Sequence, residues 1–312
     1  MYNLYAKSIV IKLCMVSVFF SFCFHTKAQY TAAEKEIVQP LKRLADSILS
    51  SQAKIFTPKD MENYLKDKKT SRQIVLYKTS SSRKKTLSAT EVYKRALYAV
   101  GVAAMCTKPS PLHEAAMNPA TAFVITPDGI CVTNFHVLYA YAHSKTFGGK
   151  GVFLVRTGDG ETHELKSVLA VSPEDDIAII QLKSSGEKFP FLKLAVSDAS
   201  VGDDVYVLGN PEGLFFNFTK GIVSNKYINT IAMPGDNGIA HRNTMVITAD
   251  FAVGSSGSPI LNDKGNVTGI VSSTYVIEQN NTGHPQSQMV IKNVIPVSSI
   301  KKLIRKIEAK NN

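Results

Sequence analysis

The chain has 312 residues, 44% of them hydrophobic and 20% charged, with a formal net charge of +11. That balance is too apolar for a disordered or collagen-like chain, and the length suffices to bury the core of one or two domains. The basic excess is dispersed, without the aromatic-interleaved or Arg-rich runs of a nucleic-acid binder, and no unit of repeat-protein length recurs, so nucleic acid is not an expected partner and solenoid folds are set aside.

Residues 1–28 carry Lys7 and Lys12, then an uncharged apolar run from Leu13 to Phe24, then His25-Thr26-Lys27-Ala28 with small residues where a signal peptidase reads. This is the pattern of a cleaved signal peptide, and the apolar run falls well short of the roughly 20 residues that span a bilayer. An exported protein, periplasmic or secreted, is therefore expected, with a mature start near Gln29 and no stable membrane span. The residues before Cys14 and Cys23 do not suit a lipoprotein signal. Loss of Lys7, Lys12 and Lys27 leaves 33 of the 36 basic residues against 25 acidic ones, a net +8. Cys106 and Cys131 remain, in a compartment where a disulfide persists; the sequence leaves open whether they pair or lie apart as buried thiols.

From Gln29 to about Leu87 the pattern predicts a helical extension and a linker. Ile37, Leu41, Leu44 and Ile48 recur at helical spacing, Thr57-Pro58 suits the start of a second helix, and the polar, basic stretch Thr79–Thr86 reads as exposed. The extension is expected to lie outside the domain that follows, so that a fragment beginning near Thr86 would keep its activity. Ser88-Ala89-Thr90-Glu91 has the capping-box pattern and opens a short helix to about Leu97. Short apolar runs separated by turns follow: 100–105, 120–125, 130–133, 152–155, 177–182, 204–208, 218–223, 245–249, 259–261, 267–272 and 288–292. Their number and spacing argue an all-β barrel or sandwich architecture, and the roughly 200 residues suffice for two such units. Ser298-Ser299 is expected to cap a closing helix over 298–309, with Ile300, Leu303, Ile304 and Ile307 on one face.

Three places carry chemistry. Gly254-Ser255-Ser256-Gly257-Ser258-Pro259 is a glycine-rich turn entering a strand, able to aim successive N–H groups at one point. His136 follows the strand 130–133, at a strand end and off any apolar helical face. Asp176 follows Asp175 directly before a buried strand, where a carboxylate can stand beside an imidazole. Taken singly, each has a plainer reading as a turn, a structural histidine or a solvated acid. Together they supply the nucleophile, base, orienting carboxylate and oxyanion donors that acyl transfer by serine requires. No His/Cys/Asp cluster has metal-ligand spacing, and no metal or organic cofactor is expected.

These blocks resemble the trypsin-like serine proteases, most closely the bacterial HtrA (Deg) branch, over roughly Ser88 to Lys301. The resemblance rests on Thr133-Asn134-Phe135-His136-Val137, Asp176-Ile177-Ala178, Gly254–Pro259, and Gly209-Asn210-Pro211-Glu212-Gly213-Leu214 with Thr219–Ser224. It implies two six-stranded antiparallel β-barrels, barrel one about 97–190 and barrel two about 191–297, within a protease domain 88–312. It implies His136 as general base and acid, Asp176 rather than Asp175 as its orienter, and Ser256 as nucleophile, with Gly254 and Ser256 donating to the oxyanion. Ser272 matches a position supporting the triad acid, and protein or peptide substrate would pair as a strand along Ser272, Ser273 and Thr274. HtrA proteases usually continue into PDZ domains, whereas this sequence stops after the closing helix. The place before the nucleophile is Ser255, not the Asp that pairs with a freed N-terminus in pancreatic enzymes.

Asp250 has two alignments. Counted without gaps it falls at the floor of the primary pocket, where a buried carboxylate attracts Arg or Lys. In the HtrA alignment it braces the loop, and Val253, Val271 and Thr274 favour small apolar side chains. Val271 stands where similar Glu-specific enzymes carry His, which weighs against glutamyl specificity. The alternative functions are a catalytically silent binder of peptides or unfolded proteins and a basic adhesion module. Nothing in the residues specifies an oligomeric state.

Overall fold

A computed structural model describes residues 33–51, 54–66, 85–107, 116–143, 150–232, 238–279 and 286–309; the expected signal segment 1–28 and most of the basic linker lie outside them. Among the described residues, twelve strands form two closed six-stranded barrels. Barrel one takes β1 (Val100–Thr107), β2 (Ala116–Val124), β3 (Ile130–Thr133), β4 (Gly151–Thr157), β5 (Thr162–Ser172) and β6 (Ile177–Leu182), in the order 1-2-3-6-5-4. Barrel two takes β7 (Asp204–Gly209), β8 (Asn217–Ala232), β9 (Ile239–Ile247), β10 (Pro259–Leu261), β11 (Val267–Gln279) and β12 (Gln286–Pro296), in the order 7-8-9-12-11-10. All pairings are antiparallel; β1 with β4, and β7 with β10, close the rings.

Period-two alternation builds the cores. Ala103, Ala122, Val124, Cys131, Phe153, Val155 and Ile180 fill barrel one, while Val205, Val207, Met245, Ile247, Ile260, Val271 and Val294 fill barrel two. The opposite faces of the same strands, including Phe123, Val132, Ile179, Leu208 and Ile270, meet in a third cluster that joins the barrels. Two of the five helices, α3 (Ala89–Ala96) and α5 (Val297–Ala309), pack into that cluster through Val92, Ala96, Ile300, Leu303 and Ile304.

The other helices belong to barrel one. A π-helical turn (Glu34–Val38) runs into α1 (Gln39–Ser50), and Ile37, Leu41 and Ala45 pack on Val102, Ala104, Cys106, Val152 and Leu154 of β1 and β4. In α2 (Pro58–Lys66), Met61 is fully buried with Leu138 and Tyr141 of α4 (Phe135–Ala142) in the interior cluster of barrel one. The helical pattern of the extension is thus present and α1 lies outside the barrel ring, but it packs on the outer face of β1 and β4 instead of standing apart, within one compact unit of residues 33–312. Its apolar stripe has a partner because strands β1 and β4 are apolar on both faces.

Local differences have physical causes. Strand β5 escapes the period-two reading because register shifts at Leu165/Ser167 and Val168/Ala170 break its alternation twice. Helix α4 was not expected; Phe135–Ala142 is apolar almost throughout, and such a run carries no clear period. The closing helix takes its cap from Asp198, whose carboxylate accepts from the Ser298 N–H and hydroxyl, both at 2.8 Å, so the expected Ser298-Ser299 cap is also corrected. Cys106 and Cys131 are free and buried in different clusters, on the outer face and in the interior of barrel one.

Candidate active site

Strand β3 ends at Thr133, and the chain turns directly into α4. His136 therefore lies in the first turn of a helix, which corrects the strand-end placement. Asp176 closes the turn 173–176 ahead of β6 with φ of 51°, a left-handed conformation that short acidic side chains tolerate better than most. That geometry aims its carboxylate at His136: Oδ2 lies 2.9 Å and Oδ1 3.1 Å from Nδ1, and Oδ1 also accepts from the His136 backbone N–H at 2.9 Å. Asn134 ties the two elements again, its amide donating to the Asp176 carbonyl at 2.9 Å. Asp175 faces elsewhere, accepting from Ser299 Oγ at 3.1 Å.

Ser256 comes from barrel two. Its Oγ stands 2.9 Å from His136 Nε2, so the imidazole spans the carboxylate and the hydroxyl. The Asp176 side chain is 10% exposed whereas that of His136 is 47% exposed, so the carboxylate is sheltered and the imidazole open to an incoming molecule. The turn that presents Ser256 depends on two glycines. Gly254 has φ of 90°, and a Cβ there would lie 2.4 Å from the Asn210 carbonyl; Gly257 has φ of 88°, and a Cβ there would lie 2.0 Å from the Thr121 carbonyl. Barrel one holds this turn through Thr121, whose N–H donates to the Ser256 carbonyl at 2.8 Å and whose hydroxyl donates to the Gly254 carbonyl at 3.0 Å. Buried Asn210 donates to Thr121 Oγ1 at 3.0 Å and to the Gly101 carbonyl at 3.3 Å, and accepts from the Phe216 N–H at 2.9 Å.

Ser272 Oγ lies 3.4 Å from Asp176 Oδ2, and β11 runs on through exposed Ser273 and Thr274; Val271 instead faces the interior of barrel two. Asp250 does not join the others. Its carboxylate is 85% exposed and pairs with Lys292 at 3.5 Å, so the expectation of a buried pocket-floor acid is corrected. Its main-chain carbonyl accepts from Thr219 Oγ1 at 2.7 Å.

One neighbour of the site escaped the sequence reading. Arg242 of β9 donates to the carbonyls of Glu174 (2.6 Å) and Pro173 (3.3 Å) and reaches Ser272 Oγ at 3.5 Å, gripping the turn that ends in Asp176. Burial pulls this guanidinium below its usual range while the charges of Asp176 and Asp175 oppose the shift. No local motif marks Arg242; only the β8–β9 hairpin brings it there. Burial pushes Cys106 up to about 12 and Cys131 upward as well, so neither thiol competes as a nucleophile.

Residues 120–270 match the sequence family described as the trypsin-like peptidase domain. The probable periplasmic serine endoprotease DegP-like of Chlamydia trachomatis is 31% identical over 151 residues, covering 48% of this chain and 27% of that protein. Its counterpart in Chlamydia pneumoniae is 34% identical over 153 residues, covering 48% and 28%. The chain thus spans less than a third of the length of these relatives. Among solved structures, Deg5 superposes with a TM-score of 0.51 at 21% identity, covering 68% of this chain and 90% of that one. The HtrA-type protease AlgW with a tripeptide gives 0.52 at 23%, covering 71% and 64%. A protease of M. tuberculosis in its active form gives 0.52 at 24%, covering 75% and 94%. Residues 120–270 are thus similar to the trypsin-like peptidase domain, with relatives among DegP-like proteases and a fold shared with structures of the HtrA type.

Proposed function

We propose that this chain is an exported serine endopeptidase that cleaves protein or peptide substrates through an acyl-enzyme. The single observation that carries the reading is the continuous relay from the Asp176 carboxylate through both nitrogens of His136 to Ser256 Oγ, with 2.9 Å at each end. In this mechanism His136 Nε2 takes the Ser256 proton as Oγ attacks the scissile carbonyl and returns it to the leaving amine. Asp176, held by Ser272 and by the turn that Arg242 grips, fixes the tautomer and stabilises the imidazolium. The N–H groups of Gly254 and Ser256 receive the oxyanion, and the substrate backbone adds as a strand beside Ser272, Ser273 and Thr274.

The protease domain is proposed to cover residues 88–312, with barrel one about 97–190 and barrel two about 191–297. The periplasmic names of the relatives and the leader-like residues 1–28 support export. No helix among the described residues is long and apolar enough to cross a membrane.

A fluorophosphonate should label Ser256 in the folded protein, and Ser256→Ala or His136→Ala should lower kcat by up to about 10⁶-fold with an unchanged circular dichroism spectrum. Folded wild-type protein that refuses the label would instead support the silent peptide binder.

A further inference from the structure

Lys292 was not expected to matter, yet it joins the two segments that flank the proposed cleavage site. On β12 it stands directly across from Thr274, in the stretch proposed to pair with substrate. Its ammonium donates to the Phe251 carbonyl at 2.5 Å and lies 5.2 Å from the centre of the Phe251 ring, in the segment leading to Ser256. Among the described residues its counter-charge is Asp250, at 3.5 Å.

These partners are unequal. The Lys292 side chain is 14% exposed, whereas the Asp250 side chain is 85% exposed. A carbonyl and a ring face accept a cation without neutralising it, and 3.5 Å is longer than a charge-assisted bond of about 2.7–2.9 Å. The result is a sheltered positive charge against the segment that leads to Ser256, with a solvated and replaceable counter-ion. A basic substrate side chain placed there would meet the ammonium of Lys292. An acidic one would find a donor whose desolvation has already occurred on folding.

We propose that Lys292 is a specificity-determining residue that selects an acidic side chain, Glu or Asp, on the residue whose carbonyl is attacked. This rests on the reading of Ser256 as the nucleophile, and the selection comes from Lys292 rather than from the His that Val271 replaces. The discrimination to look for is between Glu and its uncharged isostere Gln.

Two measurements test it. In hydrolysis of matched peptides differing only at that residue, wild type should cleave Glu over Gln by about tenfold or more, and Lys292→Met should erase the difference while cleavage after Ala or Val persists. Lys292→Arg should retain the preference, which guards against mere loss of folding. In titration calorimetry with the Ser256→Ala variant, the same peptides should bind with the same order, and adding Lys292→Met should remove the Glu advantage. Equal handling of Glu and Gln in both assays, or a preference for Arg, would overturn the assignment of Lys292. Absence of hydrolysis and of fluorophosphonate labelling, with Glu-selective binding intact, would instead sink the protease reading and leave Lys292 as the anion-selecting residue of a binder.

Discussion

Asn210 shows how one uncharged side chain carries load between the barrels. It is fully buried, donates to the Gly101 carbonyl and Thr121 hydroxyl of barrel one, and accepts from the Phe216 N–H of barrel two. Phe216 and Glu212, both at positive φ, lie in the same loop. Asn210→Ala would strand a buried donor and two acceptors, and each orphaned group costs about 1–3 kcal/mol. A loss of about 3 kcal/mol or more in urea unfolding is expected; a change below about 1 kcal/mol would mean that water replaces the amide. The triad candidates were legible in the sequence because each lies in a short block whose neighbours have local reasons to be there: glycines at positive φ around Ser256, Asn134 two residues before His136, a turn ahead of Asp176. Arg242 and Lys292 were not, because a lone basic residue in a polar strand looks solvated until pairing with a distant strand turns it inward.

Among the elements, α3 was the most legible, since the capping box is a four-residue code. The Ser88 side chain accepts from the Glu91 N–H at 3.3 Å, while the Glu91 carboxylate accepts from the Ser88 N–H and hydroxyl at 2.8 Å. Those bonds, the backbone one foremost, hold Glu91 below its usual carboxylate range. A folded-state value below the unfolded one means the stabilisation is complete above about pH 4.3 and disappears as pH falls through the folded value. Glu91→Ala should therefore lower Tm at pH 7, with the gap to wild type closing in acid; a gap constant with pH would assign the effect to helix propensity alone. Helix α1 was legible as a helix but not as a partner, because its stripe says that something is covered and not what. Removing residues before Thr86 would uncover Val102, Ala104, Cys106, Val152 and Leu154 on β1 and β4. Such an apolar face should make the fragment aggregate or unfold at lower temperature. A fragment as soluble and stable as the longer chain would restore the view of the extension as separable.

For the whole molecule, two barrels could be inferred from strand count and resemblance, yet the joining cluster could not, since outer faces of barrel strands read like any buried strand. That cluster is what makes the site. His136 and Asp176 ride on barrel one and Ser256 on barrel two, so the 2.9 Å contact between Nε2 and Oγ is a distance between two separately closed shells. A small slide at the interface would break the proton path while leaving every ladder hydrogen bond intact. Substitution of Ile270, a fully buried member of the joining cluster, by Ala removes a few methylenes there and should cost about 2–5 kcal/mol. In a urea titration of that variant, fluorophosphonate labelling should fade before the far-ultraviolet dichroism; coincident curves would mean the barrels separate only as they melt. On the proposed mechanism the seam would act as a coincidence detector: Ser256 Oγ would be a nucleophile only while both shells are folded and docked, so each half newly made, or damaged, would stay chemically mute until the other is in place.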